Sequence, residues 1–159
     1  MKGIYLLLGS NLGDSRRKIS DAIQNLELSL GRVIKSSSVY ATKPWGIEDQ
    51  PDYLNQVLEI DSKHGPEKIL EVINEIEEQL GRVRHIKWHS RIIDIDILYY
   101  GAQVIQLKDL IIPHTEIENR NFVLIPMAEI APNFVHPVLL MTQKELLSAC
   151  KDNLEVKKI

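Results

Sequence analysis

The sequence predicts an α+β fold with a ferredoxin-like βαββαβ core, and three observations support this prediction. The spacing of apolar residues indicates the order strand, helix, strand, strand, helix, strand. These segments are residues 4–8, 15–30, 33–42, 52–60, 66–80 and 92–100. Both helical segments are followed by a glycine, Gly31 and Gly81, where helices commonly end. The 159 residues are enough for one hydrophobic core, so we expect a single domain over residues 1–159.

The first strand and helix follow from simple patterns. Residues 4–8 form a short continuous apolar run, which is typical of a strand buried on both faces. The Gly-Ser-Asn-Leu-Gly segment at residues 9–13 could cradle an anion, but it matches neither common nucleotide-binding motif, which favours a turn role. Asp14 or Ser15 can cap the helix that follows, because a short side-chain oxygen satisfies free backbone N–H groups there.

The next two strands frame the first candidate binding surface. A serine-containing strand over residues 33–42 precedes an irregular loop at residues 43–51, and the third strand follows. On that strand Tyr53 and Asn55 share the face opposite the aliphatic residues. An aromatic ring and an amide suit a flat heteroaromatic ligand, although an ordinary solvated face explains the same pattern.

The second helix, opened by Pro66, leads into the stretch around which the chain is organised. Residues 81–91 are rich in arginine, lysine and histidine, whereas residues 92–98 alternate aliphatic residues with Asp94 and Asp96. On a strand these two carboxylates share one face, about 7 Å apart. Carboxylates beside arginines suit a nucleotide–Mg²⁺ site. The simpler alternative is a solvated strand face, but aspartate is uncommon in strands.

These patterns acquire a common meaning in the predicted fold. The two helices pack on one sheet face and leave the other face open, so we expect the two aspartates and Tyr53 to share that open face. The loop at residues 43–51 and the loop at residues 81–91, which we call the cationic loop, would cover this face. Beyond residue 101 we expect additional strands and two short closing helices, at residues 127–132 and 142–149.

Composition and charge limit the classes of function. The formal net charge of −3 provides no global basic field for nucleic acid, so any attraction for phosphate is local. The single cysteine, Cys150, excludes an internal disulfide and is consistent with a reducing compartment. The longest apolar run near the start is too short to span a bilayer. We therefore expect a cytoplasmic protein without nucleic-acid or membrane partners, and we also expect a monomer.

Motifs along nearly the whole chain, residues 4–137, resemble those of one enzyme family. In order they are Gly-Ser-Asn-Leu-Gly (9–13), Gln-Pro-Asp-Tyr-Leu-Asn (50–55), Gly-Arg-Val-Arg (81–84), Arg-Ile-Ile-Asp-Ile-Asp (91–96), Pro-His (113–114) and Asn-Arg-Asn-Phe (119–122). Each motif alone is weak, but together, in this order, they resemble the 6-hydroxymethyl-7,8-dihydropterin pyrophosphokinases of folate biosynthesis. The resemblance implies Mg²⁺-dependent transfer of pyrophosphate from ATP to the pterin hydroxymethyl group, giving AMP and the pterin diphosphate.

The resemblance also implies roles for particular residues. Asp94 and Asp96 match aspartates that hold two Mg²⁺ ions, and Arg82 and Arg91 match catalytic loop arginines that close on the triphosphate. The residues implied to contact ATP are Glu77, Arg82, Arg91, His114 and Arg120. The residues implied to contact the pterin are Thr42, Trp45, Gly46, Tyr53, Asn55 and Phe122, with Tyr53 and Phe122 on either side of the ring.

Departures from the family pattern concern the closing loop and the nucleotide contacts. His89 and Ser90 precede Arg91 where a small pair such as Gly-Pro is usual, and the cationic loop is shorter than in some members. Lys43 stands where proline is common, and Thr115 where a tyrosine often follows the histidine. These differences bear on loop geometry and not on the implied reaction.

Two alternatives remain open on the sequence alone. Another ATP–Mg²⁺ phosphotransferase acting on a related acceptor would be distinguished by forming ADP instead of AMP. A ferredoxin-like RNA-binding or regulatory module would use exposed aromatic residues on the same sheet face. The aspartate pair and the net charge of −3 argue against the second alternative.

Overall fold

The computed structural model describes residues 1–43, 51–81 and 93–159. Within these ranges the chain has a mixed α/β fold with an antiparallel sheet and four α-helices. Several residues singled out in the sequence lie outside the described residues, namely Trp45, Gly46, Arg82, His89, Ser90 and Arg91.

The described part of the chain contains eight strands and four α-helices. The strands are β1 (Ile4–Ser10), β2 (Gly31–Ser36), β3 (Tyr40–Thr42), β4 (Tyr53–Ser62), β5 (Asp94–Tyr100), β6 (Ile105–Leu107), β7 (Leu110–Ile112) and β8 (Val156–Lys158). The helices are α1 (Ser15–Ser29), α2 (Pro66–Gln79), α3 (Asn121–Ile130) and α4 (Gln143–Ala149), with a 3-10 turn at Ile117–Asn119. β5, β1, β4, β3 and β8 lie side by side in this order, β2 also pairs with β4, and β6 and β7 form a separate hairpin.

The boundaries of the first two helices agree with their sequence signals. α1 begins after Asp14, whose side chain accepts a hydrogen bond from the N–H of Arg17 at 3.3 Å. It ends before Gly31, which has a φ of +146° and stands where a Cβ would overlap the carbonyl oxygen of Asp61. α2 begins at Pro66 and ends before Gly81.

The predicted second strand over residues 33–42 is two strands, β2 and β3, with a break at Ser37 and its neighbours. The hydroxyl of Ser37 accepts the N–H of Val57 at 2.9 Å and donates to the carbonyl of Ser38. The side-chain amide of Gln56 then donates to the carbonyl of Ser37. Side-chain bonds therefore replace part of the regular ladder at this point.

The closing part of the chain differs from the prediction in two places. The helix predicted at residues 127–132 begins earlier, at Asn121, and contains Pro126 within it. β8 has no counterpart in the prediction. The last predicted helix is present as α4, where Thr142 and Glu145 form a capping box.

Two apolar cores lie on opposite sides of the sheet. α1 and α2 pack with Ile4, Leu6 and Leu8 of β1 in the first core. Tyr5 and Leu7 point the other way and pack with residues of α3 and α4. The sequence had suggested that the second face is open. In the structure it is covered along part of its length by α3 and α4. None of the described helices has the length and apolar character needed to cross a membrane.

Candidate functional site

One transverse row of the sheet joins the two candidate surfaces. Asp94 of β5 pairs with Gly9 of β1, and Gly9 pairs on its other side with Asn55 of β4. Asn55 pairs in turn with Tyr40 of β3. Residues directly opposite each other in antiparallel strands carry their side chains on the same face. Asp94 and Asn55 therefore face the same side of the sheet, and only a glycine lies between them.

Gly9 matters for the side chain of Asn55. A Cβ added at Gly9 would lie 2.8 Å from Nδ2 of Asn55, so the absence of a side chain leaves room for this amide. Asn55 is 7% exposed, and its Nδ2 lies 3.5 Å from the carbonyl oxygen of Leu8, at the limit of a hydrogen bond. The sequence pattern predicted a turn at Gly9, whereas the structure places this residue within β1. A glycine inside a strand often marks the close approach of another group to the backbone, and this property could have identified Gly9 from the sequence.

The neighbouring rows extend the same face in both directions. Asp96, two residues from Asp94, pairs with Leu7, and both aspartates are half-buried. Tyr53 pairs with Thr42 of β3, which is 5% exposed. The alternation of side chains along each strand brings Asp94, Asp96, Tyr53 and Asn55 to one face, as predicted.

Glu77 supports the backbone between the two aspartates. Its carboxylate, 1% exposed on α2, accepts the N–H of Ile95 at 2.9 Å. β5 is the outermost strand on its side of the main sheet, so this N–H points away from β1 and needs another acceptor. Glu77 thereby fixes the backbone at Ile95, which lies between Asp94 and Asp96 in the strand. The contact with ATP that was implied for Glu77 stays a prediction.

His114 lies in the electrostatic field of Asp94 and of other charged groups nearby. Burial, followed by the nearby positive charge of Arg120, lowers the pKa of His114 below its ordinary value. Three carboxylates oppose this shift without reversing it: Glu116, Asp94 and Glu118. Nδ1 of His114 accepts the N–H of Glu116 at 3.4 Å, so the neutral ring carries its proton on Nε2. His114 is therefore an uncharged donor at neutral pH.

Arg120 and Phe122 stand at the start of α3. The guanidinium carbon of Arg120 lies 5.6 Å from the ring centre of Phe122, within the range of a cation–π interaction. Phe122 is half-buried at the margin of the second core. α3 packs against β3 and β4, the strands that carry Thr42 and Tyr53. α3 thus brings a cation and an aromatic ring to the side of the sheet that carries the candidate site.

The aspartate pair has the ligand chemistry of a Mg²⁺–phosphate site. Carboxylate oxygens are hard ligands, and Mg²⁺ commonly takes one or two of them together with phosphate oxygens and water. Within the described ranges, no group of three or more histidine, cysteine, aspartate or glutamate side chains could hold a metal ion. Asp94 and Asp96 supply two carboxylates of the kind that Mg²⁺ takes together with phosphate oxygens.

The fold and the residues of this face indicate a class of protein. They suit an α/β enzyme that brings a metal–phosphate group next to a flat heteroaromatic ring. The family model for 7,8-dihydro-6-hydroxymethylpterin-pyrophosphokinase (HPPK) matches residues 5–132, and the chain belongs to this family.

Curated relatives include several proteins named 2-amino-4-hydroxy-6-hydroxymethyldihydropteridine pyrophosphokinase. The one from Aquifex aeolicus is 43% identical over 145 residues, which is 91% of this chain and 90% of the relative. The one from Haemophilus influenzae is 42% identical over 134 residues and covers 84% of each chain. The folic acid synthesis protein fol1 of Pneumocystis carinii is 40% identical over 137 residues, which is 86% of this chain but 18% of that protein.

Solved structures share the fold at lower sequence identity. Wild-type HPPK-DHPS of Plasmodium falciparum with STZ-DHP has a TM-score of 0.77 and 18% identity, covering 94% of this chain and 43% of that chain. The same protein with pteroate has a TM-score of 0.75 and 18% identity, covering 92% and 42%. This chain therefore spans less than half of those longer proteins.

Proposed function

We propose that this chain transfers pyrophosphate from ATP to the hydroxymethyl group of 6-hydroxymethyl-7,8-dihydropterin, releasing AMP, in folate biosynthesis. Family membership supports the reaction, and so do the names of the curated relatives. The observation that connects this reaction to a particular site is the row of paired residues Asp94, Gly9 and Asn55 across the sheet. Two reactants must lie about 3–3.5 Å apart at their reacting atoms, and this row joins a phosphate-side carboxylate to a ring-side amide without an intervening side chain.

On the nucleotide side, Asp94 and Asp96 are proposed to hold two Mg²⁺ ions together with the ATP phosphates. Bound Mg²⁺ neutralises phosphate charge and so favours attack at phosphorus. Glu77, His114 and Arg120 are proposed to face ATP, with His114 donating through Nε2 and Arg120 supplying positive charge. Arg82 and Arg91 are proposed to close on the triphosphate from the cationic loop.

On the pterin side, Tyr53 and Phe122 are proposed to enclose the ring, and Asn55 to pair with its edge. The weak 3.5 Å contact of the Asn55 amide supports this role, because a matched ring edge offers a better partner than the carbonyl of Leu8. Thr42, Trp45 and Gly46 are proposed to complete the pocket.

The chemistry requires positioning and charge neutralisation. The hydroxymethyl oxygen attacks the β-phosphorus, the bond from that phosphorus to the α-phosphate oxygen breaks, and AMP leaves. The hydroxyl proton passes to a phosphate oxygen and is released to solvent with the products. We assign no side chain as general base, since phosphoryl transfer depends mainly on orientation and electrostatic stabilisation. Closure of the loops would exclude water and so suppress ATP hydrolysis.

We also propose that the fold is ferredoxin-like and that the chain forms a single domain. The strand order β5–β1–β4–β2, with α1 and α2 on the face opposite Asp94, supports classification as ferredoxin-like. Two cores that share one sheet support a single domain over residues 1–159. A cytoplasmic location is supported by the single cysteine, and we propose a monomer.

A coupled assay with separation of the nucleotide products tests the function. With ATP, Mg²⁺ and the pterin, AMP should form only when the pterin is present. The double variant Asp94→Asn/Asp96→Asn should lose this turnover, whereas Asp21→Asn, on α1, should keep it. ADP as product would identify an ordinary kinase instead, and intact ATP binding without turnover would identify a regulatory member of the family.

A further inference from the structure

β8 covers the outer edge of β3, the short strand that ends in Thr42. Val156 pairs with Thr42, and Lys158 pairs with Tyr40. Val156, Thr42 and Tyr53 form one transverse row, so the side chain of Val156 stands beside Thr42 on the site face. β3 is three residues long, and β8 provides the second of its two ladders. Such a short strand depends on having partners on both sides.

Asp152, four residues before β8, holds the start of α3. Its carboxylate accepts the N–H of Asn121 at 3.0 Å and the N–H of Leu154 at 3.0 Å. The side-chain amide of Asn121 donates to the carbonyl of Asp152. The first N–H groups of a helix lack partners within the helix, and a negative charge is favourable there. Asp152 therefore fixes the turn in which Phe122 follows Asn121.

The far end of α3 is held independently of these residues. The carboxylate of Glu129 accepts the hydroxyl of Tyr40 at 2.7 Å and the hydroxyl of Ser38 at 2.8 Å. Lys35 donates to the carbonyl of Ile130 at 3.3 Å. Loss of Asp152 would thus leave α3 anchored at its far end and free only the end that carries Phe122.

We propose that residues 152–158, which we call the closing segment, are a positioning element of the pterin site. β8 holds the wall that carries Thr42, and Asp152 holds the wall that carries Phe122. The inference rests on the proposed function. The closing segment lies beyond residues 5–132, the part of the chain that the family model matches. Pterin affinity in this chain therefore depends on residues outside that part.

Steady-state kinetics of two variants test the proposal. Deletion of residues 156–159 should raise the KM for 6-hydroxymethyl-7,8-dihydropterin about fivefold, the factor that corresponds to one lost hydrogen bond, and leave the KM for ATP and kcat within about twofold. Asp152→Ala should raise the KM for the pterin at least as much, and also that for ATP, because Arg120 adjoins Asn121. Asp152→Asn, which keeps one of the two acceptor oxygens, should recover only part of the loss.

Controls separate this role from general stability and from the reaction itself. Lys151→Ala, at an exposed side chain just before the closing segment, should leave both KM values unchanged. Faster hydrogen exchange at residues 39–42 in the deletion variant would verify that the edge of β3 has opened. A pterin KM within twofold of the full chain, with that edge open, would overturn the proposal. Absence of AMP formation by the full chain would instead refute the proposed function.

Discussion

The carboxylate of Glu77 and the backbone N–H of Ile95 form a 2.9 Å hydrogen bond that joins α2 to the outermost strand of the main sheet. Ile95 is flanked by Asp94 and Asp96. A residue of α2, which packs on the other face of the sheet, therefore controls the positions of both site carboxylates. A buried backbone donor pointing outward from an edge strand must find an acceptor, and here that acceptor is a buried carboxyl oxygen.

Replacement of Glu77 by alanine should therefore affect both stability and metal-dependent binding. Leaving the N–H of Ile95 without its acceptor is expected to cost about 1–3 kcal/mol of unfolding free energy. Movement of β5 should also weaken Mg²⁺–ATP binding. Denaturant unfolding and ATP titration measure the two effects. Glu75→Ala, exposed on the same helix, is the matched control, and equal behaviour of the two variants would contradict the assignment.

Gly9→Ala should impair pterin binding more than ATP binding. The new methyl group would displace the Asn55 amide, which lies 2.8 Å from its position, and the KM for the pterin should rise roughly tenfold. Gly65→Ala is a suitable control, because no atom lies within 4 Å of the corresponding Cβ. An unchanged pterin KM in Gly9→Ala would show that Asn55 can move without consequence.

Removal of Mg²⁺ should reduce ATP affinity only while the aspartate pair is present. With chelator, binding of ATP to the full chain is expected to weaken by about tenfold or more. Asp94→Asn/Asp96→Asn should bind ATP equally weakly with and without the metal. Isothermal titration in both buffers makes the comparison. A variant that kept the full response to Mg²⁺ would place the metal site elsewhere.

Stability at acid pH should depend on Glu129. Partial burial opposes the shift, but hydrogen bonds from Tyr40 and Ser38 outweigh it and hold the pKa of Glu129 below its ordinary value of 4.5. A lowered carboxyl pKa stabilises the fold above pH 4.5, and this contribution is lost as the pH falls through the folded-state pKa. Because Glu129 is exposed, the effect should be about 1 kcal/mol or less.

Thermal unfolding between pH 3 and pH 7 of the full chain and of Glu129→Gln checks this expectation. The variant should be less stable at neutral pH and should lose less stability on acidification, so the two curves should converge at low pH. Parallel curves would mean that other groups govern the acid response. Tyr40→Phe, which removes one of the donors, should give an intermediate curve.

The sequence predicted the elements that have their own periodic pattern or end signal. Asp14, Pro66 and Thr142 mark helix starts through local chemistry, and β5 shows its face through strict alternation of aspartate and isoleucine. β8 has no such signal, because Val-Lys-Lys becomes a strand only by pairing with β3, more than a hundred residues away in the chain. Tertiary pairing decides the structure of such short segments.

The candidate site shows the same division. Alternation alone was enough to bring Asp94 and Asp96 together on one face, and Tyr53 and Asn55 on one face. That Gly9 stands between Asp94 and Asn55 depends on strand register, which is a property of three strands together. The hydrogen bond from Ile95 to Glu77 likewise needs the position of α2 against β5, which no local pattern contains.

β8 also has a consequence for solubility. It forms one margin of the main sheet, and two of its three residues are lysines. Short, positively charged margins discourage the strand-to-strand association from which aggregates grow. Without β8, the margin would be Tyr40–Thr42, which carries no charge. The same three residues that support a substrate pocket therefore keep neighbouring copies of the chain from joining their sheets.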